Sequence, residues 1–163
     1  VAKSKAMAAY ELMEQGDAKG AMVLLERARA LQPRDSMIEM LYLDTAIRSG
    51  QMARAMAVMD ELLALNPPPL AKDDPLFYIA LEAADRCLQQ RAFDTAREFV
   101  RRAAFIDPAS PGPWAVLAGV YDAQALPAAA VLCLDRGLEL DPDRADLRDF
   151  RSVLTRNQSL GPQ

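Results

Sequence analysis

The chain of 163 residues contains no histidine, the side chain that most often serves as general base near neutral pH and as metal ligand. Aromatic residues make up only 6 % of it, with one tryptophan, Trp114, so its 52 % hydrophobic content rests on alanine and aliphatic residues. That composition suits helices packed at close range. There is no apolar run near the roughly 20 residues that cross a bilayer, and direct membrane insertion is not expected. No glycine-rich phosphate loop, no G-x-S-x-G and no zinc-spaced cysteines are present. Asp73-Asp74 and the Asp141-Pro142-Asp143 run lack the glycine and spaced oxygen ligands of a calcium loop. An enzyme, a metal site and a cofactor are therefore not expected. The net charge of −4 and pI near 4.9 speak against nucleic acid, whose binding rests on a basic surface. Cys87 and Cys133 lie on apolar helical faces outside any CxxC and read as buried thiols, which leans toward a reducing, cytoplasmic compartment. Position 1 is valine, so a processed chain or part of a longer polypeptide is expected.

What the sequence does have is periodic proline. Pro33 and Pro67 are 34 residues apart, as are Pro108 and Pro142; Pro67 and Pro108 are 41 apart. Each closes a similar phrase: ARALQP, LLALNP, AAFIDP, LELDP. Numbering each proline as position 32 yields four segments, 2–35, 36–69, 77–110 and 111–144. Position 20 is then alanine throughout, at Ala21, Ala55, Ala96 and Ala130. Position 8 holds Ala9, Leu43, Ala84 and Ala118, and position 27 holds Ala28, Leu62, Ala103 and Gly137. Small residues at fixed phase mark sites where two helix backbones come close. Within each segment the apolar spacing predicts two helices joined by a turn, at Gly16 and Gly50 in the first two. The third turn, Gln90 to Asp94, and the fourth, at Ala125, lack glycine, leaving their geometry open. Helices are expected over 2–14, 18–31, 38–48, 52–65, 75–90 and onward in the same rhythm. The irregular stretch Asn66 to Pro75, with three successive prolines, reads either as a long inter-repeat loop or as a hinge. Beyond Asp143, Leu147, Phe150 and Leu154 share one face, predicting a half-polar end helix over about 144–156, followed by a disordered tail, 157–163.

Trp114, Leu117, Ala118 and Tyr121, followed by Ala130, Leu134, Gly137 and Pro142, resemble the tetratricopeptide repeat (TPR), a helix–turn–helix of about 34 residues. The resemblance covers residues 2–144 and implies a single all-α domain over 1–163, a right-handed superhelical solenoid of four repeats plus a capping helix. It further implies a concave groove lined by the first (A) helix of each repeat, where ligands of the family lie. The groove-facing residues it assigns include Tyr10 and Met13 in repeat one. Repeat two supplies Met37, Met40, Asp44, Ile47 and Arg48, and repeat three Tyr78, Leu81, Asp85 and Leu88. Repeat four offers Gly112, Ala115, Gly119, Asp122 and Ala123, nearly bare backbone. The clamp with which some TPR proteins hold a C-terminal carboxylate is missing, since Tyr10 and Ala6 occupy its asparagine and lysine positions. Asp44 is expected to pair with Arg48 one turn on, whereas Asp85 has no basic neighbour at that spacing and is expected to stand alone in an apolar trough. Arg97, Arg101 and Arg102 fall on the opposite, convex side and read as a solvated face.

Two functions remain open on this reading. One is a protein-interaction module, a scaffold or chaperone-like adaptor, gripping an apolar or amphipathic peptide in the groove. The other is structural self-assembly, with the groove filled by a neighbouring copy or by the rest of a longer chain.

Overall fold

Helix starts follow the capping residues. Asp17, Asp35 and Asp74 each accept a backbone N–H from the first turn of the helix that follows, satisfying donors with no intrahelical partner. The computed structural model describes residues 1–70 and 74–161, which contain nine α-helices and no strand. They are α1 (Ala2–Glu14), α2 (Ala18–Leu31), α3 (Ser36–Arg48), α4 (Met52–Leu65), α5 (Pro75–Gln89), α6 (Phe93–Ile106), α7 (Gly112–Ala123), α8 (Pro127–Leu140) and α9 (Ala145–Leu160). Helix α3 begins two residues before the expected Ile38, because the Asp35 carboxylate draws Met37 and Ile38 N–H groups into the first turn at 3.1 and 3.2 Å. Residues 71–73 of the irregular stretch, with the Asp73 of the doubtful calcium pair, and residues 162–163 of the expected tail lie outside the described residues.

The chain divides into two compact bodies, Val1–Pro67 with α1–α4 and Pro68–Gln163 with α5–α9. The division falls in the proline run that the sequence marks as irregular. Within each body consecutive helices pack as antiparallel hairpins, α1 on α2, α3 on α4, α5 on α6 and α7 on α8.

The small residues sit where the hairpins close. Ala21, Ala55, Ala96 and Ala130 are fully buried, as are the position-8 residues Ala9, Leu43, Ala84 and Ala118. Alanine at both sites, in every hairpin but the second, where position 8 is Leu43, lets two backbones approach without displacing a side chain, and larger residues then fill the space beside them. Leu25, Met59, Phe99 and Leu134, on the second (B) helices, are likewise fully buried. Position 27 closes the B helix. The carbonyls of Ala28, Leu62, Ala103 and Gly137 accept the cap N–H of Gln32, Asn66, Asp107 and Asp141 at 2.9–3.0 Å.

All four hairpin turns share one geometry, including the two without glycine. Asp17, Gln51, Ala92 and Leu126 each donate an N–H to the carbonyl five residues back, at 2.7–2.9 Å, the six-to-one bond of a Schellman motif. The residue before each donor is left-handed: Gly16 (φ 82), Gly50 (φ 75), Arg91 (φ 59) and Ala125 (φ 58). Two L-residues thus accept a conformation that favours glycine, because the surrounding hydrogen bonds require it.

The end helix runs four residues past its expected limit. Leu147 and Leu154 are buried and Phe150 is half-buried against the cluster around Cys133 and Leu134, while Arg151 donates to Asp135 at 2.5 Å. No helix breaker occurs between Asn157 and Leu160, so the expected tail continues the helix until Gly161 (φ 64) ends it. Arg144 hydrogen-bonds Asp146 in the first turn at 2.6–2.8 Å and holds its carboxyl below the usual carboxylate range.

Two stability measurements check this packing. Ala130→Leu should cost about 1–3 kcal/mol in denaturant unfolding, because there is no space for the added atoms. The same change at half-buried Ala123 should cost about 0.5 kcal/mol or less. At the turns, Ala125→Gly should stabilise by about 0.5–1 kcal/mol, relief of the left-handed backbone being partly offset by the greater freedom of glycine in the unfolded chain. Gly50→Ala should reverse the sign, although open space surrounds that position.

Candidate protein-interaction surfaces

The residues assigned to a groove fall into three classes. Tyr10 on α1 and Met37 on α3 are exposed, at 51 % and 45 % of their surface, and Met13 and Met40 beside them are half-buried. Helices α1 and α3 are neighbours within the N-terminal body, so these side chains stand on adjoining elements. Asp44 and Arg48 form the expected pair at 3.0 Å, on the surface.

Ile47 differs from its assignment. It is buried at 4 % exposure alongside Ala46 and Leu43. Its branched side chain is enclosed instead of facing solvent.

In the C-terminal body Tyr78 remains exposed at 57 %, its ring meeting Phe77 edge-on at 5.3 Å. Leu81 and Leu88, however, are half-buried against α7. A Cβ placed on Gly112 would come within 3.1 Å of Leu81 Cδ1, and one on Gly119 within 3.0 Å of Leu88 Cδ2. The bare backbone of α7 is therefore the seat for two leucines of α5, and these leucines hold the repeats together. Asp85 also departs from expectation. It is exposed, and the Gln89 side-chain amide donates to it at 2.7 Å, so it is neither desolvated nor alone.

The arginines of α6 are not a uniformly solvated face. Arg101 is 79 % exposed, beside Glu98 at 3.3 Å, but Arg97 is braced by Asp94 and by the Gln124 side-chain oxygen at 2.8 Å. Arg102 bonds the Glu98 carbonyl at 2.8 Å. Between α6 and α7 lies a cleft of about 240 Å³ walled by Val100, Ala104, Pro113, Trp114, Leu117 and Tyr121. Arg97 and Arg101 stand at its rim.

The sequence reading missed one buried charge. Glu39 is 4 % exposed and accepts from Arg29 Nε at 2.8 Å. The guanidinium also lies over the Tyr42 ring at 4.6 Å and reaches Glu61 at 3.2 Å. Burial pulls the Arg29 pKa down, but the Glu39 bond and the nearby negative charges outweigh it and hold the value above its ordinary level. The available signal was a glutamate, Glu39, at position 4, where repeat four carries Trp114. Burial pushes both thiols up, that of Cys133 to about 11. Among the described residues no three Cys, Asp or Glu side chains converge as metal ligands, and no helix is long and apolar enough to cross a membrane.

The contrast between Leu81 and Tyr78 is measurable. Leu81→Glu should lower stability by about 2 kcal/mol or more, since it places a carboxylate against the α7 backbone. Tyr78→Glu should shift it by about 0.5 kcal/mol or less. Thermal melts of the two variants distinguish a packed leucine from a free one.

The tetratricopeptide repeat profile matches residues 12–73. No curated protein matches the chain. Among solved structures, MamA from Desulfovibrio magneticus RS-1 superposes with a TM-score of 0.61 at 16 % identity, over 97 % of this chain and 85 % of that one. A tetratricopeptide repeat protein from Parabacteroides merdae gives 0.64 at 14 % identity, over 97 % of this chain and 60 % of that one. YrrB, described as a TPR protein with an unusual peptide-binding site, gives 0.59 at 14 % identity, over 93 % and 75 %. Such identities establish a shared fold and nothing finer. The family model thus marks tetratricopeptide repeats over residues 12–73, and the all-helical hairpin fold of the described residues is that of tetratricopeptide repeat structures.

Proposed function

We propose that the chain is a protein-interaction module that takes an apolar or amphipathic peptide on the exposed, groove-lining faces of its A helices. The observation that carries this is the pair of large apolar side chains left exposed on neighbouring helices, Tyr10 on α1 and Met37 on α3, flanked by half-buried Met13 and Met40. Methionine and tyrosine together suit this role, the first adapting its shape and the second supplying rigid area with a polar tip. The Asp44–Arg48 pair at the edge of that face is exposed and worth little to stability, so it is available to orient a ligand backbone. The family supports the class of function, and the peptide-binding site named for YrrB is a precedent within the same fold. In the C-terminal body the comparable face is narrower, because Leu81 and Leu88 are occupied by α7 and Tyr78 alone is well exposed.

Panning a displayed library of random 12-residue peptides on the whole chain tests this reading. Selected peptides should be apolar or amphipathic. Met37→Glu should weaken them at least tenfold, about 1.4 kcal/mol, with a melting temperature within about 2 °C of the parent. Selected peptides that bind Met37→Glu and Tyr10→Glu as tightly as the parent would refute it.

A further inference from the structure

We infer that the cleft between α6 and α7 is a second docking site, which takes one aromatic or aliphatic side chain from an acidic peptide segment. It lies on a different side of α7 from the groove assignment. Trp114, Leu117 and Tyr121 share the face turned toward α6, whereas Ala115, Gly119 and Asp122 lie more than a third of a turn round the helix. The walls are apolar, and three of them, Trp114, Leu117 and Tyr121, are only half-buried. At about 240 Å³ the space falls below the roughly 300–1,000 Å³ of small-molecule sites and suits a single anchoring side chain.

Charge selects the occupant. The ionisable groups lining the cleft, other than the Tyr121 hydroxyl, are the guanidiniums of Arg97 and Arg101, each paired outside the lining with an acid, Asp94 and Glu98, on a chain whose net charge is −4. Arg97 is held in place by Asp94 and Gln124, an arrangement that fixes a donor at the mouth. Arg101 is exposed and its contact with Glu98 is a surface pair, which contributes little and is readily exchanged for a ligand carboxylate. An apolar pocket with tryptophan in its wall and arginine at its edge has the residue types that concentrate binding energy at protein interfaces. A peptide with an apolar anchor between acidic residues matches both features, whereas a polyanionic nucleic acid would face the acidic remainder of the chain.

Trp114 is the single tryptophan and lines the cleft, so its emission reports occupancy. The probe is a capped pentapeptide with one phenylalanine between two glutamates on each side. It is compared with versions carrying lysine for glutamate or alanine for phenylalanine. The expected result is a saturable change in Trp114 emission with the Glu–Phe peptide, at least tenfold weaker with either control and weakened by salt. Arg101→Glu should weaken it at least tenfold, while Met37→Glu in the N-terminal body should leave it unchanged. Absence of a saturable response, equal response to the lysine peptide, an unaltered titration in Arg101→Glu, or loss in Met37→Glu would each overturn the inference.

Discussion

Close approach between paired helices is the constraint on which the molecule rests. Each hairpin closes over an alanine at position 20, and all four, Ala21, Ala55, Ala96 and Ala130, are fully buried. Small side chains there bring the backbones near enough for Leu25, Met59, Phe99 and Leu134 to be enclosed beside them. Protein interiors are packed as densely as organic crystals, and a few added atoms at such a contact have nowhere to go. The turns follow from the same requirement. Two helices held this close need a reversal of defined shape, and the six-to-one hydrogen bond supplies it in every hairpin. Arg91 and Ala125 adopt left-handed backbone because the hairpin geometry outweighs the local preference of those residues.

This division of labour explains what could be read from the sequence. Proline spacing and the in-phase small residues locate the five helices given explicit ranges, α1 to α5, to within two residues, because both signals arise from local backbone needs. Helix ends are similarly legible where a capping aspartate precedes them, as at Asp17 and Asp74. The site was less legible, since exposure depends on what a neighbouring helix leaves open. Leu81 and Leu88 have the spacing of groove residues, yet Gly112 and Gly119, some thirty residues on, make room for them. Ile47 sits at a groove position and is buried. Asp85 has no charged neighbour at helical spacing, and a neutral amide, Gln89, fills that place. The Arg29–Glu39 pair joins two repeats through charge, at a position that holds Lys5, Ala80 and Trp114 in the other three and so carries no shared signal.

The same physics distributes the surfaces available for binding. Alanine-rich contacts enclose some of the larger apolar side chains and leave others exposed, on A helices as well as on B helices such as those of Phe105 and Leu132. In the N-terminal body, Tyr10 and Met37 are exposed on neighbouring A helices. In the C-terminal body the glycines of α7 absorb the equivalent leucines, and the open apolar space shifts to the side of α7 that carries Trp114. The two bodies therefore present different chemistry from one repeat plan: methionine and tyrosine in one, tryptophan bordered by arginine in the other.

Native-state hydrogen exchange, followed residue by residue, tests most directly whether the small-residue contacts govern the fold. The slowest-exchanging amides should cluster in the helical turns around Ala84 and Ala96 and around Ala118 and Ala130, where helix meets helix with least space between them. Those of Val153 to Leu160, on the outer half of α9, should exchange much faster, because few buried contacts hold that segment. Amides around the four position-20 alanines that exchange as fast as the end of α9 would contradict it.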